Sequence, residues 1–285
     1  MRVKAYYQTL KPERTAANVI TTVAGFLLAC RWHIEWPLLL ATVSGTTLVV
    51  LSACAANNCT DRGIDACMPR TKNRVLVTGV IPVRNVALLA ILCGVTGFGI
   101  LILAVNWLTV VIGAIAYIDY VVLYAWSKRH TPYSTLIGTI SGAAPLVAGY
   151  TAVTGQFTST ALVLGLLMIF WQMPHFYAIG IFRRADYSAA KLPIWPVKYG
   201  IRNTQIWMLI YTVLYLVALL LLAAIGSVGL IGIGVLAVLA AYWLYKGMQG
   251  FTAAQPEKWA RGIFGFSLIM VIVLSVALPL GAIAP

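Results

Sequence analysis

Long apolar runs alternate with short polar segments from one end of the chain to the other. A membrane-crossing helix needs roughly 17–25 apolar residues. Nine runs meet that length, near 16–32, 38–58, 83–104, 107–126, 134–153, 160–182, 205–225, 228–247 and 262–282. The pattern predicts an all-α fold, a polytopic membrane bundle of about nine transmembrane helices, with residues 1–285 as a single integral-membrane domain.

The connections between runs are of two kinds. Those at 33–37, 105–106, 154–159 and 226–227 are short and nearly uncharged. The segments 1–15, 59–82, 127–133, 183–204 and 248–261, with Arg84 and Lys246 at their edges, hold every Lys and Arg except Arg31. The positive-inside rule then places the N-terminus and all the longer loops in the cytoplasm and the C-terminus outside. The first fourteen residues carry Arg2, Lys4, Lys11 and Arg14 without a separate leader pattern. The expected location is therefore the lipid bilayer of a bacterial inner membrane.

Composition agrees, with 61% hydrophobic and only 9% charged residues, too little charge to cover a soluble domain. A net charge of +13 would suit nucleic acid, but its confinement to one side is a topology signal, and no nucleic-acid partner is expected. Cys30, Cys54, Cys59, Cys67 and Cys93 form no CxxC pair, which indicates neither a zinc site nor a disulfide framework.

Candidate chemistry begins where the second run ends, in "NNCTDRGIDACMPRTKNR" (57–74), because only seven residues of the chain are acidic and two of them lie here. Asn57, Asp61 and Asp65 are spaced i, i+4, i+8, one stripe of oxygen donors on a helix, with Asn58 beside it. An acid at mid-helix costs roughly 2.5–3.5 kcal/mol on insertion scales, less near the interface. Such a stripe calls for a counter-charge or a metal. Two carboxylates and an amide are hard donors that suit Mg²⁺, which shares its shell with substrate phosphates. Arg62, Arg70, Lys72 and Arg74 are cations for those phosphates. Interfacial pairing of the acids with these arginines, or a cation-transport site, would use the same residues. Against transport, the acids lie at one end of the span, whereas carriers bind near the midplane.

The sixth run ends in "WQMPHFYAIGIFRRADYSAAKLPIWP" (171–196). Asp186 and Lys191 stand at the membrane level of Asp61. Asp186 could hold a second Mg²⁺ and Lys191 the phosphate, or Asp186 could pair with Arg183 or Arg184. His175 is deeper, beside Pro174 and Gln172, and is either a buried histidine hydrogen-bonded to a neighbouring helix, a heme ligand or a proton-transfer group. "YAWSKRH" (124–130) ends the fourth run. There Tyr124 faces the same cavity, Lys128 and Arg129 fit the topology rule, and His130 lies at the rim. Asp119 is acidic in mid-span with no partner in its own helix, and His33, on the other side, has no assigned role.

The N-x-x-x-D-x-x-x-D of 57–65, the basic "RTKNR" after it, the Y-x-x-x-K-R of 124–129 and the nine-span layout resemble the UbiA superfamily of membrane prenyltransferases. "MPRTKNRVL", "TLIGTISGAAP", "WQMPHFYAIGIFRRADY" and "AAKLPIWPV" resemble its heme-modifying branch, and the likeness runs from "LKPERT" (10–15) to "FGFS" (264–267). The chain departs from the pattern at Asn58, where the superfamily has Asp, at Gly63, and at Ala190 in the second motif.

The resemblance implies farnesyl diphosphate and heme b as substrates, with farnesyl C1 joined to a heme vinyl group and water added to give heme O. It implies Mg²⁺ on Asn57, Asp61 and Asp65, with Asp186 opposite. Arg74 and Lys72 would bind diphosphate, supported by Arg70, Lys128, Arg129, Lys191 and Tyr124. His175 would contact heme, with His130 second. A heme A synthase or terminal oxidase is the partner it suggests. A sister prenyltransferase for a quinone or chlorin acceptor, and a non-enzymatic heme or cation carrier, are the alternatives.

Overall fold

The computed structural model describes residues 2–282, with side chains from residue 5 onward. The side chains of Arg2 and Lys4, counted among the N-terminal cations, and the last residues, 283–285, lie outside what it describes. The described residues form helices α1 (Arg2–Thr9), α2 (Pro12–Cys30), α3 (Trp36–Cys67), α4 (Val83–Ala104), α5 (Trp107–Ile118), α6 (Ala125–His130) and α7 (Ser134–Thr154). They continue as α8 (Ser159–Phe182), α9 (Arg184–Ala189), α10 (Trp195–Ala224), α11 (Leu230–Met248) and α12 (Pro256–Gly281). A π-helical turn, Asp119–Tyr124, joins α5 to α6 without a break, so the fourth span runs from Trp107 to His130.

Among the described residues, eight helices are long and apolar enough to cross a membrane. The ninth expected span is α2, 19 residues long, more polar because it begins with Glu13 and Arg14 and is rich in threonine. Its threonines do not leave polar groups loose: the Thr21 and Thr22 hydroxyls donate to the Asn18 carbonyl at 3.0 and 2.9 Å. The chain is an integral membrane protein, and its outer surface shows why. Leu103 (87% exposed), Ile231 (83%) and Val238 (70%) point outward, where only lipid tails would accept them.

Helix α7 packs against α2, α5 and α8, while α3 pairs with α4. Helices α8, α10, α11 and α12 share the largest core, which includes Leu164, Leu167, Leu219, Leu236 and Met270. Helix α12 returns to α2 and closes the bundle. A smaller core at one end joins Ala5 of α1 to Ala55, Leu76, Ile81 and Val86, so the first helix is packed onto the α3–α4 pair.

Apolar packing inside a membrane lacks a hydrophobic drive, so close approach matters more. A Cβ at Gly25 would collide with the Leu146 carbonyl oxygen, and one at Gly149 with the Thr22 carbonyl oxygen. These two glycines let the α2 and α7 backbones touch. Gly149→Ala is expected to force the helices apart at a cost of about 1–3 kcal/mol, read as a lower Tm of the detergent-solubilised protein. Gly99→Ala, where a Cβ meets nothing within 4 Å, should leave Tm nearly unchanged.

Candidate active site

Helix α3 does not stop near residue 58 as the hydropathy suggested but continues to Cys67. It ends at Met68, whose extended backbone (φ −101°, ψ 127°) is what the following Pro69 demands. Asn57, Asp61 and Asp65 therefore lie along one face of an unbroken helix. Asn57 and Asp65 are buried and Asp61 is half-buried.

Each of the three meets a cation from a different part of the chain. Lys11 Nζ donates to Asn57 Oδ1 at 3.3 Å. Lys128, buried at the end of the fourth span, is ion-paired with Asp61 Oδ1. Arg74 Nη1 donates to Asp65 Oδ2 at 2.6 Å. The loop carrying Arg74 folds back because the Met68 carbonyl accepts from the Thr71 and Lys72 amides, both at 3.0 Å. The Thr71 hydroxyl also donates to the Asp65 carbonyl at 2.9 Å. Lys11 sits in the left-handed region (φ 49°) immediately before Pro12. That strained conformation is of a kind that clusters at working sites.

Asn58 has a separate task. Its Nδ2 donates to the Thr9 carbonyl at 2.6 Å, and Asn85 Nδ2 donates to the Tyr6 hydroxyl at 3.1 Å. Helix α1 is fastened by these bonds to α3 and to the start of α4. Beneath it is a cavity of about 320 Å³ lined by Thr9, Lys11, Asn58, Asp65, Arg70 and Arg74, among others.

The remaining expected residues divide. Arg70 lines the cavity and pairs with Asp186 at 3.7 Å, and Arg183 also approaches Asp186 at 3.9 Å. Asp186 is thus tied by Arg70 to the cavity that Asp65 also lines. The described residues hold no cluster of three or more His, Cys, Asp or Glu able to share a metal. Tyr124 stacks on Tyr120 with centroids 5.7 Å apart, and the Lys128 ammonium lies 5.1 Å above the Tyr124 ring. Arg129 Nη2 donates to the Thr60 carbonyl at 2.7 Å and ties α6 to α3. His130 is exposed, stacked on Trp126 with its Nδ1 against the Trp126 carbonyl, so it serves its own helix end. Lys72 and Lys191 are exposed and form no ion pair among the described residues.

Two further cations belong to the site and were not singled out from the sequence as chemistry. Lys11 is one. Burial, with Arg14 the strongest charge acting on it, pulls its ammonium down to about 7. Arg14 is the other, within electrostatic reach of Tyr120, Tyr124, Tyr187 and His175. The signal was "LKPERT", a Lys-Pro helix start followed by Arg, but the topology rule already accounted for those charges.

His175 is buried on α8, with Nδ1 bonded to Ser267 Oγ of α12 at 2.7 Å. Asp119 also finds a place. It is buried in the π-helical turn, and its Oδ2 accepts from the Ser141 amide of α7 at 3.1 Å.

The donor set fits a hard divalent cation. Asp61 Oδ2 and Asp65 Oδ1 carry no hydrogen bond among the described residues and are not sealed from solvent. With Asn57 Oδ1 they are oxygen donors only, on one face, as Mg²⁺ requires.

The UbiA prenyltransferase family model matches residues 18–272. The chain belongs to the UbiA prenyltransferase family. It is 43% identical over 285 residues to a protoheme IX farnesyltransferase of Pectobacterium carotovorum subsp. carotovorum (strain PC1), covering 99% of this chain and 96% of that one. The family fold recurs in solved structures. A digeranylgeranylglyceryl phosphate synthase superposes with a TM-score of 0.80 at 18% identity, over 100% of both chains. A UbiA homolog from Archaeoglobus fulgidus bound to GPP and Mg²⁺ gives 0.72 at 15% identity, over 99% of this chain and 100% of that one.

The Asn58 side chain serves here as a donor, its amide holding the Thr9 carbonyl. Asn58→Asp puts a carboxylate against the Thr9 carbonyl with no proton to share. It is expected to cost about 1–3 kcal/mol and release α1, seen as a lower Tm and faster protease cleavage within residues 2–9.

Proposed function

We propose that this UbiA-family protein transfers the farnesyl group of farnesyl diphosphate to a vinyl group of heme b and, with addition of water, forms heme O. The observation that carries the reading is the acidic face of α3, whose three oxygen donors each meet a cation from a separate segment. Such a site holds a diphosphate through both its metal and its own lysines and arginines. The 43% identity over nearly the whole chain to a protoheme IX farnesyltransferase supports the choice of substrates.

Asn57, Asp61 and Asp65 would hold Mg²⁺, and Asp186 would face them through Arg70. Bound there, the ion would neutralise the diphosphate oxygens and ease their departure. Arg74, Lys128 and Lys11, already at the carboxylates, are placed to turn to those oxygens, with Arg70 beside them and Arg129, Lys72 and Lys191 farther out. As the farnesyl C1–O bond breaks, its electron pair leaves with diphosphate. The vinyl π electrons then form the new bond to C1. Water adds to the resulting cation and releases a proton.

Tyr124 and Tyr120 would border the developing allylic cation, with ring faces that favour positive charge. The apolar interior keeps water out until the carbon–carbon bond has formed. His175 would lie against the porphyrin, with His130 outside the site. The basic loops would face the cytoplasm and the C-terminus the other side, as the charge pattern implies. A heme A synthase or terminal oxidase would receive the product.

The test is the purified chain in detergent with heme b, farnesyl diphosphate and Mg²⁺, with porphyrin mass followed by chromatography and mass spectrometry. A gain of farnesyl plus water is expected, lost on chelation of Mg²⁺ and reduced about 10²–10³-fold in Asp61→Asn. Diphosphate release with unmodified heme, and prenylation of a quinone or chlorin instead, would replace heme with another acceptor. Heme binding without farnesyl diphosphate consumption would leave a carrier.

A further inference from the structure

His175 is held at one ring nitrogen and bare at the other. Its Nδ1 lies 2.7 Å from Ser267 Oγ, and that same oxygen lies 2.6 Å from the Phe264 carbonyl oxygen. Both separations need a proton between the atoms, because two lone pairs at such a distance repel. The carbonyl has no proton to give, so the hydroxyl donates to Phe264 and Nδ1–H donates to Ser267. This leaves the lone pair on Nε2. Among the described residues Nε2 has no hydrogen-bond partner, yet it is not one of the polar atoms sealed in the protein without one.

The surroundings are flat and apolar. Trp171, Phe176 and Phe264 each stand with ring centroids 5.0 Å from the imidazole. Trp171 is itself fixed to α12, its Nε1 donating to the Ser267 carbonyl at 3.0 Å. A histidine that only bridges α8 and α12 uses its Nδ1 and has no call for an open Nε2. A fixed Nδ1–H donor with a free Nε2 is how a metal-ligating histidine is oriented by its second hydrogen bond. A single imidazole in an apolar cuff is also how heme iron is held.

On the farnesyl-transfer reading above, we propose that His175 Nε2 is an axial ligand to the iron of the heme substrate, with Ser267 as the residue that orients it. An axial imidazole stands across the macrocycle plane, so Trp171, nearly parallel to the imidazole at 26°, would meet the macrocycle edge-on, and Phe176, at 78° to the imidazole, is the ring oriented to lie along it.

The full chain in detergent is titrated with ferric heme b and, separately, with metal-free protoporphyrin IX. Wild-type protein is expected to prefer heme by at least about tenfold. His175→Ala and the better volume match His175→Gln lose that preference while still binding the macrocycle, and added imidazole restores the wild-type Soret band in His175→Ala. Ser267→Ala keeps the ligand but loses part of the preference. An unchanged Soret band, or an undiminished heme preference, in both His175 variants overturns the ligand assignment. The same wild-type preparation is assayed for farnesylated heme. Product formed alongside an unchanged variant Soret band removes the ligand alone, whereas neither heme binding nor product in wild type removes both readings.

Discussion

Three oxygen donors on one face of α3, each engaged by a cation from elsewhere, hold this end of the bundle together. Asn57 takes Lys11 from the start of α2, Asp61 takes Lys128 from α6, and Asp65 takes Arg74 from the loop beyond α3. Lys128 and Asp61 are largely out of solvent, with side chains 8% and 15% exposed. Removing one partner of such a pair strands the other, at a cost of about 3–5 kcal/mol. The pairs are thus structural as well as chemical. They also shape binding: a divalent cation alone would crowd three protein cations, and a diphosphate alone would face two carboxylates. Arriving together, the two would meet both the carboxylates and the cations of that face.

The placement of Lys128 depends on the unusual helix beneath it. The π-helical turn Asp119–Tyr124 adds a residue to the winding without ending the span. Its buried Asp119 reaches across to the Ser141 amide. Four residues farther along α7 is Pro145, which has no N–H for the Ser141 carbonyl to accept, so one rung of the α7 ladder is missing where the turn docks. Tyr120, Tyr124 and Lys128 follow at intervals of four and present a stacked aromatic pair and an ammonium to α3. An acid that looked unexplained in mid-span is thus the peg that sets the turn against α7.

Much of this was legible in the sequence, because a bilayer imposes length and charge rules that leave plain marks. The runs predicted the spans, and i, i+4, i+8 spacing predicted one acidic face. What escaped was whatever hydropathy does not report. Helix α3 runs on through "CTDRGIDAC", too polar to read as a span but with nothing to break it before Pro69. The fourth span contains a π-turn that no periodicity announces. Lys11 and Arg14 looked like topology charges because the positive-inside rule fully accounts for them. A charge can obey that rule and still turn inward.

That inward turn depends on packing far from the charges. Lys11 precedes Pro12 in a left-handed conformation and is aimed by the axis of α2 behind it. The axis is fixed where Gly25 and Gly149 allow the α2 and α7 backbones to touch. At the other end of the same segment, Asn58 grips the Thr9 carbonyl. Lys11 is therefore held from both sides, by a close helix crossing deep in the bundle and by an amide bond at its edge. Neither contact involves a reacting group, yet together they decide whether an ammonium reaches Asn57. Small residues in the span and an amide at its mouth in this way position the same lysine.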